Sequence, residues 1–343
     1  MTGFLALEDG TVFAGESVGA PAKALGEAVF TTGMTGYQEV VTDPSFSGQL
    51  VCFTAPMVGN YGVADHRSES DGPHATGVVM REARGPGWTD WLAASGLPAL
   101  SGVDTRSLTL HLREHGALRA ALVADGGDVD EGIALARSQP AMAGQALAVR
   151  VSTPSPYAFS SGDVRVAVVD YGTKRSILRR LATTGAAVTV YPHDVDADTL
   201  AGYDGVVLSN GPGDPEPLAE EIKVAHELLG RAPLLGICLG HQLLALATGL
   251  RTFKLPFGHR GANHPVVERS TGRVLVTSQN HGFAVEPGGP AVTHESLYDG
   301  TVEGLAYPDL RARSVQFHPE AGPGPHDARP LFAEWVEEIR AAA

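Results

Sequence analysis

Residues 236–242 read Gly236-Ile237-Cys238-Leu239-Gly240-His241-Gln242, and this stretch decides the fold of the second half of the chain. It follows the apolar run 232–235, which predicts a short buried strand, and residues 239–248 predict a helix that ends at Gly249. The cysteine therefore lies on a sharp strand-to-helix turn, where the nearby glycines relieve crowding. Hydrolases place a nucleophilic serine on such a turn. Because a helix N-terminus favours the thiolate of a cysteine, the stretch predicts covalent catalysis by Cys238.

Length and composition indicate a globular protein. A chain of 343 residues predicts about two domains, at roughly 150 residues each. Hydrophobic residues make up 43% of the chain and charged residues 19%, which is typical of a folded protein. The 25 basic and 39 acidic residues give a net charge of −14. Since sequence-independent binding of nucleic acid needs a cationic face, this balance argues against a nucleic-acid partner.

The chain carries no evident export or membrane signal. Its first ten residues lack the basic region and apolar core of a signal peptide. The longest apolar stretch, 232–250, is interrupted by proline, glycine and polar residues, so a buried strand-turn-helix explains it better than a membrane span. Only two cysteines are present, Cys52 and Cys238, which argues against a disulfide framework. We therefore expect a soluble cytoplasmic protein.

The composition changes most clearly at 152–163, where proline, serine and glycine concentrate. This segment predicts a linker between an N-terminal domain, 1–151, and a C-terminal domain, 164–343. In the first domain, apolar runs predict strands and two capped segments predict helices, so a mixed α/β domain is expected. The predicted strands are 4–7, 11–13, 28–32, 49–54, 77–80 and 119–124, and the predicted helices are 89–95 and 104–115.

The second domain alternates strands with helices. Its strands are apolar throughout, which predicts a doubly wound, mostly parallel sheet covered on both faces. The predicted strands are 164–169, 187–191, 205–208, 234–238 and 314–317, and the predicted helices are 174–184, 217–229 and 239–248. Because active sites of such sheets lie beyond the carboxyl ends of the strands, segments 209–215, Cys238 and 318–320 are expected at one edge.

His318-Pro319-Glu320 places an imidazole and a carboxylate on the same face of an extended segment. Histidine has a suitable pKa to take a thiol proton and return it to a leaving amine. The carboxylate can fix the orientation of the imidazole, as the third member of a triad does. The residues thus predict a Cys-His-Glu triad of Cys238, His318 and Glu320.

The glycine-rich segment 209–215 follows a predicted strand. Its glycines allow a backbone N–H to point into the site, and together with the N–H of Leu239 it would form an oxyanion hole. The segment lacks the spacing of a phosphate-binding loop, as does the sequence around Lys174, and no dinucleotide-binding pattern is present. No cysteine and histidine pairs have zinc spacing. We therefore expect no nucleotide, cofactor or metal on this chain.

Structural explanations compete with these functional ones. A cysteine after an apolar run is usually a buried structural residue, and that explanation is preferred for Cys52. For Cys238 the flanking glycines at a strand end favour catalysis. His241 and His281 are interpreted as structural. The residues by themselves indicate a cysteine hydrolase or an acyl transferase.

The strand-to-helix turn at 236–242, here called the elbow, and the segment His318-Pro319-Glu320 resemble the signature of triad-type, class I glutamine amidotransferases. This resemblance implies a flavodoxin-like fold. The N-terminal half also resembles the small, glutamine-hydrolysing subunit of carbamoyl phosphate synthetase, as do two segments of the C-terminal half. The matching segments are 33–39, 42–45, 59–62, 103–106, 278–285 and 323–327. Other amidotransferases lack this N-terminal half, so the resemblance to this family is specific and covers nearly the whole chain.

The resemblance implies which residues contact L-glutamine: Ser45, Gly211, Gly213, Leu239, Gln242, Asn280, Gly282 and Phe283. It also implies a large-subunit partner, in a heterodimer or a higher oligomer of heterodimers, that contacts the N-terminal domain, 1–151. That partner would carry ATP and Mg²⁺ and receive the ammonia. The product would serve arginine and pyrimidine biosynthesis. Two alternatives stay open: the glutaminase subunit of another synthetase, such as one making GMP or anthranilate, and a non-catalytic binding subunit that keeps the fold.

Overall fold

The computed structural model describes residues 2–288 and 291–342, and these form two compact units. The first unit runs to Ala143 and includes Pro256–Gly261, and the second comprises Gly144–Leu255 and the residues from Ala262 onward. The segment 152–163, predicted as a linker, is part of the second unit. Its residues Tyr157–Ala158 form an edge strand there.

The strands of the first unit form one closed sheet. The predicted strands 4–7 and 11–13 are confirmed, and they pair antiparallel on either side of Asp9-Gly10. The strand bounds are β1 Thr2–Leu7, β2 Val12–Ser17, β3 Lys23–Thr31, β4 Gln49–Phe53, β5 Gly77–Val79, β6 Ala99–Ser101 and β7 Leu118–Val123. Around the sheet, the order is β1-β2-β6-β5-β4-β3-β7, and β7 pairs with β1 to close it.

The helices of the first unit are α1 Tyr37–Thr42, α2 Pro86–Ala94, α3 Thr105–His115 and α4 Val129–Ser138. The predicted helix at 104–115 is confirmed as α3. The carboxylate of Asp104 accepts the N–H of Ser107 at 3.0 Å, which satisfies one of the free donors at the helix start. Helix α2 begins three residues before the predicted start, because Pro86 suits the first helical position. Helices α1 and α4 were not predicted from the sequence.

The second unit contains a mixed sheet whose centre is parallel. Its strands are β8 Tyr157–Ala158, β9 Val164–Asp170, β10 Ala186–Pro192, β11 Gly205–Leu208, β12 Leu234–Ile237, β13 Thr252–Glu268, β14 Val274–Val285, β15 Val292–Ser296, β16 Val302–Tyr307 and β17 Ala312–Val315. Within β13, Pro256–Gly261 belong to the first unit. The order is β14-β13-β15-β16-β17-β12-β11-β9-β10-β8. Strands β10, β9, β11, β12 and β17 pair in parallel, and the flanking strands pair antiparallel.

Helices cover both faces of the parallel strands. They are α5 Ala148–Val151, α6 Arg175–Thr183, α7 Ala197–Leu200, α8 Ala219–Leu228, α9 Leu239–Ala247 and α10 Pro330–Ala342. One core contains Leu243 of α9 and Leu228 of α8, and the other contains Leu181 of α6 and Trp335 of α10. Successive strand residues divide between these two cores, so the predicted doubly wound α/β fold is confirmed.

The antiparallel strands β13–β16 were not predicted. Strand β13 carries Pro256 and Pro265, which interrupt the apolar pattern that reveals a strand. No helix within residues 2–288 and 291–342 has the length and apolar character needed to cross a membrane.

Candidate active site

Cys238 lies where β12 ends and α9 begins, on the strand-to-helix turn that its flanking residues predict. Its φ is +54°, a strained value for a residue with a side chain. Gly240 must be glycine, because a Cβ there would lie 2.0 Å from the carbonyl oxygen of Leu208. The N–H of Gly240 donates to the carbonyl of Ser209 at 3.0 Å, which ties the turn to the loop after β11. The close approach of this backbone holds the elbow in place.

The thiol of Cys238 is held inside the second unit. Only 2% of the residue is exposed. Its backbone N–H donates to the carbonyl of Val315 on β17 at 2.9 Å, and its thiol reaches the carbonyl of Asn280 on β14 at 3.5 Å. The sulfur therefore lies between the parallel sheet and the antiparallel strand β14, away from bulk water.

His318 and Glu320 follow β17, next to the strand that carries the cysteine. Nδ1 of His318 donates to Oε1 of Glu320 over 2.7 Å, and both side chains are buried. This bond fixes the tautomer, so Nε2 is the nitrogen available for chemistry. Within the described residues Nε2 has no hydrogen-bond partner of ordinary geometry, although Cys238 is near enough to affect the titration of the ring. The structure thus brings the three predicted catalytic residues together.

Charges around His318 and Glu320 keep both groups ionised. Burial alone lowers the pKa of His318, but the negative charges of Glu320 and Cys238 outweigh it and raise that pKa to about 10. Burial alone raises the pKa of Glu320, but Lys174 and His318 outweigh it and hold that pKa far below its ordinary value. The arrangement therefore supports a carboxylate and an imidazolium at neutral pH.

Lys174 is a member of this site that the sequence analysis missed. Its ammonium donates to Oε1 of Glu320 at 2.8 Å, and its side chain is 3% exposed. Its backbone N–H donates to Oδ1 of Asn210 at 3.2 Å, which joins the loops after β9 and β11. The sequence signal was its place just beyond the carboxyl end of β9, the edge on which the other site residues lie.

Backbone N–H groups are available beside the sulfur. Leu239 is the first residue of α9, and its N–H has no acceptor among the described residues. The same holds for Gly211 in the described part of the chain. A Cβ at Gly211 would lie 2.2 Å from the carbonyl oxygen of Tyr171, so only glycine fits there. Gly213 has a φ of +92°, which also favours glycine. The N–H groups of Leu239 and Gly211 have the chemistry of an oxyanion hole.

The other predicted glutamine contacts in the second unit lie around Gln242 and on β14. The side-chain amide of Gln242 donates to the carbonyl of Phe283 at 2.8 Å and to Oε1 of Gln316 at 3.0 Å, so it anchors the strand segment that also carries Asn280 and Gly282. Ser45 belongs to the first unit, where its N–H donates to Oδ1 of Asp43 at 2.9 Å. The glutamine contacts, like the expectation of no metal or cofactor, stay predictions.

Two family models match the chain. The model described as glutamine amidotransferase class-I matches residues 167–337, and the model described as carbamoyl-phosphate synthase small chain, CPSase domain, matches residues 5–122. The first match covers the parallel sheet with its triad, and the second covers most of the closed sheet.

Curated relatives match over nearly the full length. A carbamoyl phosphate synthase small chain of Symbiobacterium thermophilum is 48% identical, over 98% of this chain and 98% of the relative. Proteins of the same name are 47% identical in Listeria monocytogenes, over 97% of this chain and 95% of the relative, and in Xanthomonas campestris, over 98% of each. The chain therefore belongs to the family of carbamoyl phosphate synthase small chains, with a class I glutamine amidotransferase domain in its second half.

Proposed function

We propose that this chain hydrolyses L-glutamine to glutamate and ammonia, and that it passes the ammonia to a larger chain that makes carbamoyl phosphate. The observation that carries the proposal is the bond from His318 Nδ1 to Glu320, beside the buried thiol of Cys238. It gives a nucleophile, a proton carrier and an orienting acid on one edge of the sheet. Family membership selects the side-chain amide of glutamine as the substrate group.

The first half of the reaction forms a thioester. The thiolate of Cys238 attacks the side-chain amide carbon of glutamine, and the C=O electron pair moves onto oxygen. The N–H groups of Leu239 and Gly211 then stabilise the oxyanion. As the C–N bond breaks, His318 gives its proton to the departing nitrogen, which leaves as ammonia. The raised pKa of His318, about 10, supports its role as the protonated donor.

The second half releases glutamate. Water attacks the γ-glutamyl thioester, and the now neutral His318 takes the proton of that water. When the C–S bond breaks, the sulfur leaves as thiolate and the imidazolium is restored. Glu320 holds the ring through both halves and stabilises its positive charge.

The reaction that consumes the ammonia, carbamoyl phosphate synthesis, belongs to a partner chain. Carbamoyl phosphate synthesis from ammonia and bicarbonate needs ATP, and the sequence has neither a phosphate-binding loop nor a dinucleotide-binding pattern. ATP and Mg²⁺ are therefore assigned to the large chain, in a heterodimer or a higher oligomer of heterodimers. The product would enter arginine and pyrimidine biosynthesis. Both cysteines are free and buried, which agrees with a reducing cytoplasm.

The test compares two cysteine variants in the complex with the large chain. Cys238→Ala should abolish carbamoyl phosphate synthesis from glutamine but leave synthesis from ammonium salts intact. Cys52→Ala is the matched control, because Cys52 is equally buried but burial raises its pKa to about 12, which keeps it a thiol. If Cys238→Ala loses both activities or keeps both while the control is normal, the proposal is wrong. Trapping of a labelled glutamyl adduct on Cys238 would exclude a non-catalytic subunit.

A further inference from the structure

The segment 144–153 is bonded to two of the loops that form the site. We call this segment the strap; it precedes β9 and belongs to the second unit. Its middle is buried, because Leu147 is 5% exposed and Ala148 lies in the same core cluster as Leu239, the first residue of α9. The strap is therefore packed into the domain.

One end of the strap is bonded to the glycine-rich loop 209–215. Oδ2 of Asp214 accepts the N–H of Gly144 at 2.8 Å, and the N–H of Asp214 donates to the carbonyl of Gln145 at 3.0 Å. The other carboxylate oxygen, Oδ1, accepts the N–H of Glu216 at 3.0 Å, just beyond the loop. Asp214 thus joins the strap to the loop with one bond in each direction.

The backbones of the strap and the loop are in close contact beside this carboxylate. A Cβ at Gly213 would lie 2.5 Å from the carbonyl oxygen of Gln145 and 2.9 Å from the backbone nitrogen of Leu147, so a side chain there would push the strap away. The other end of the strap is also bonded, because the N–H of Thr153 donates to Oδ2 of Asp170, the last residue of β9, at 2.8 Å. A strap that is held at both ends restrains the loop.

The glycine-rich loop is anchored on both sides of Gly211. Before it, the carbonyl of Ser209 accepts the N–H of Gly240 at 3.0 Å, and after it, Asp214 is bonded to the strap. Pro212 lies between these two anchors, and its ring fixes one of the backbone angles. The direction of the Gly211 N–H therefore depends on both anchors.

The bonds of Asp214 are well suited to hold the loop stiffly. Both of its carboxylate oxygens accept backbone N–H groups, and the residue is 5% exposed. A bond from an N–H to a carboxylate is roughly twice as strong as a bond between neutral groups, and a buried bond is stronger than one in water. The anchor at Asp214 is therefore stiffer than a contact between neutral groups.

We propose that Asp214 is a positioning residue for glutamine hydrolysis. By fastening the strap to the glycine-rich loop, it holds the N–H of Gly211 in the direction that the oxyanion requires. This inference rests on the proposed function, in which the N–H groups of Gly211 and Leu239 stabilise that oxyanion. Since the negative charge develops only after the thiolate attacks, a displaced N–H lowers kcat more than it weakens glutamine binding.

The test uses the full chain in complex with the large chain. Asp214→Asn keeps the size of the side chain and one acceptor oxygen, but its NH₂ group would face the N–H of Gly144 and release the strap. We expect kcat for glutamine hydrolysis to fall about tenfold and KM to change less than about twofold, because the oxyanion donor is displaced but not removed. Alkylation of Cys238 by iodoacetamide, which needs a thiolate but no oxyanion hole, should proceed at the wild-type rate.

The matched control is Asp196→Asn, on the loop after β10 at the same edge of the sheet. The carboxylate of Asp196 accepts the N–H of Thr199 at 2.7 Å and its hydroxyl at 2.9 Å, but that loop carries none of the residues assigned to the site. The control should keep the wild-type kcat.

If Asp214→Asn keeps the wild-type kcat as well, the inference is wrong. It is also wrong if kcat, glutamine affinity and the alkylation rate all fall together, which would show that Asp214 only maintains the fold. A wild-type complex that does not hydrolyse glutamine would instead contradict the proposed function.

Discussion

The ammonium of Lys174 lies 2.8 Å from Oε1 of Glu320, the same oxygen that accepts Nδ1 of His318 at 2.7 Å. The second oxygen of Glu320 has no hydrogen-bond partner among the described residues. One carboxylate oxygen thus balances two cations at a site where all three side chains are buried. Lys174 therefore acts as a positioning residue. It keeps the carboxylate of Glu320 ionised and lowers the pKa of His318.

Replacing Lys174 should change the pH dependence of glutamine hydrolysis. Lys174 lowers the pKa of His318, so Lys174→Met should raise that pKa and move the acid limb of the kcat profile to higher pH. We expect kcat near neutral pH to fall about tenfold, because less neutral imidazole is available to activate water. The measurement is kcat for glutamine hydrolysis between pH 6 and pH 10. Lys174→Arg keeps the charge and should retain the wild-type profile. An unchanged profile for Lys174→Met would contradict the positioning role.

Gly240 should not tolerate a side chain. A Cβ there would lie 2.0 Å from the carbonyl of Leu208, and backbone cannot move as easily as a side chain. Gly240→Ala should lower the free energy of unfolding by about 3 kcal/mol and abolish glutamine hydrolysis. Gly202→Ala is the control, since its nearest contact, the carbonyl of Thr199, would be 3.4 Å away. Urea unfolding and a glutaminase assay measure both effects. Equal stability of the two variants would show that the elbow can relax.

The buried imidazole of His241 should lower the free energy of unfolding as the pH falls below neutrality. It is buried, Nδ1 contacts Oγ of Ser314 at 2.8 Å, and burial, with a smaller effect of His294, lowers its pKa to about 3. In the unfolded chain its pKa is about 6.5. Between these values the unfolded chain binds a proton that the folded chain excludes, so stability falls as pH decreases, by about 1.4 kcal/mol per pH unit.

The variant His241→Asn isolates this effect. Asparagine can keep the contact to Ser314 but does not titrate, so the stability of the variant should depend less on pH between 5 and 6.5. The free energy of unfolding, measured in urea at several pH values, gives the two slopes. His318 does not contribute in this range, because its folded pKa of about 10 keeps it protonated and its stabilising effect is lost only as pH rises. Parallel slopes for wild type and variant would refute the assignment.

Gln242 should affect substrate binding through the strand it anchors. Its amide donates to the carbonyl of Phe283 and to Oε1 of Gln316, so Gln242→Ala leaves the buried Oε1 of Gln316 without a donor, while the carbonyl of Phe283 keeps only the bond from Nδ1 of His281. We expect stability to fall by about 1–3 kcal/mol and the KM for glutamine to rise about tenfold, with a smaller change in kcat. Steady-state kinetics and thermal unfolding together measure this. A large loss of kcat at unchanged KM would show that Gln242 acts on the reaction itself.

Local sequence patterns were sufficient to predict the parallel strands at the centre of the second unit. Strands β11 and β12 are apolar along their whole length, and β9 is apolar from Val166 to Val169. Glycines mark the turn at Cys238, so short windows of sequence reveal these elements. The antiparallel strands were missed because prolines and polar residues break their pattern. Helix α1 was missed because it has only six residues and its N-cap, Gly36, has no side chain to mark the helix start.

The sequence by itself determined the chemistry of the protein: a cysteine on a strand-to-helix turn, a histidine with a carboxylate two residues later, and a family resemblance that names glutamine. Those features are local, so backbone geometry and side-chain type are enough to predict them. Only the tertiary structure decided that Lys174 joins the triad and that one oxygen of Glu320 serves two cations. These pairs come from separate segments of the chain, and their charges interact only because the folded sheet brings the segments together in a medium with little water.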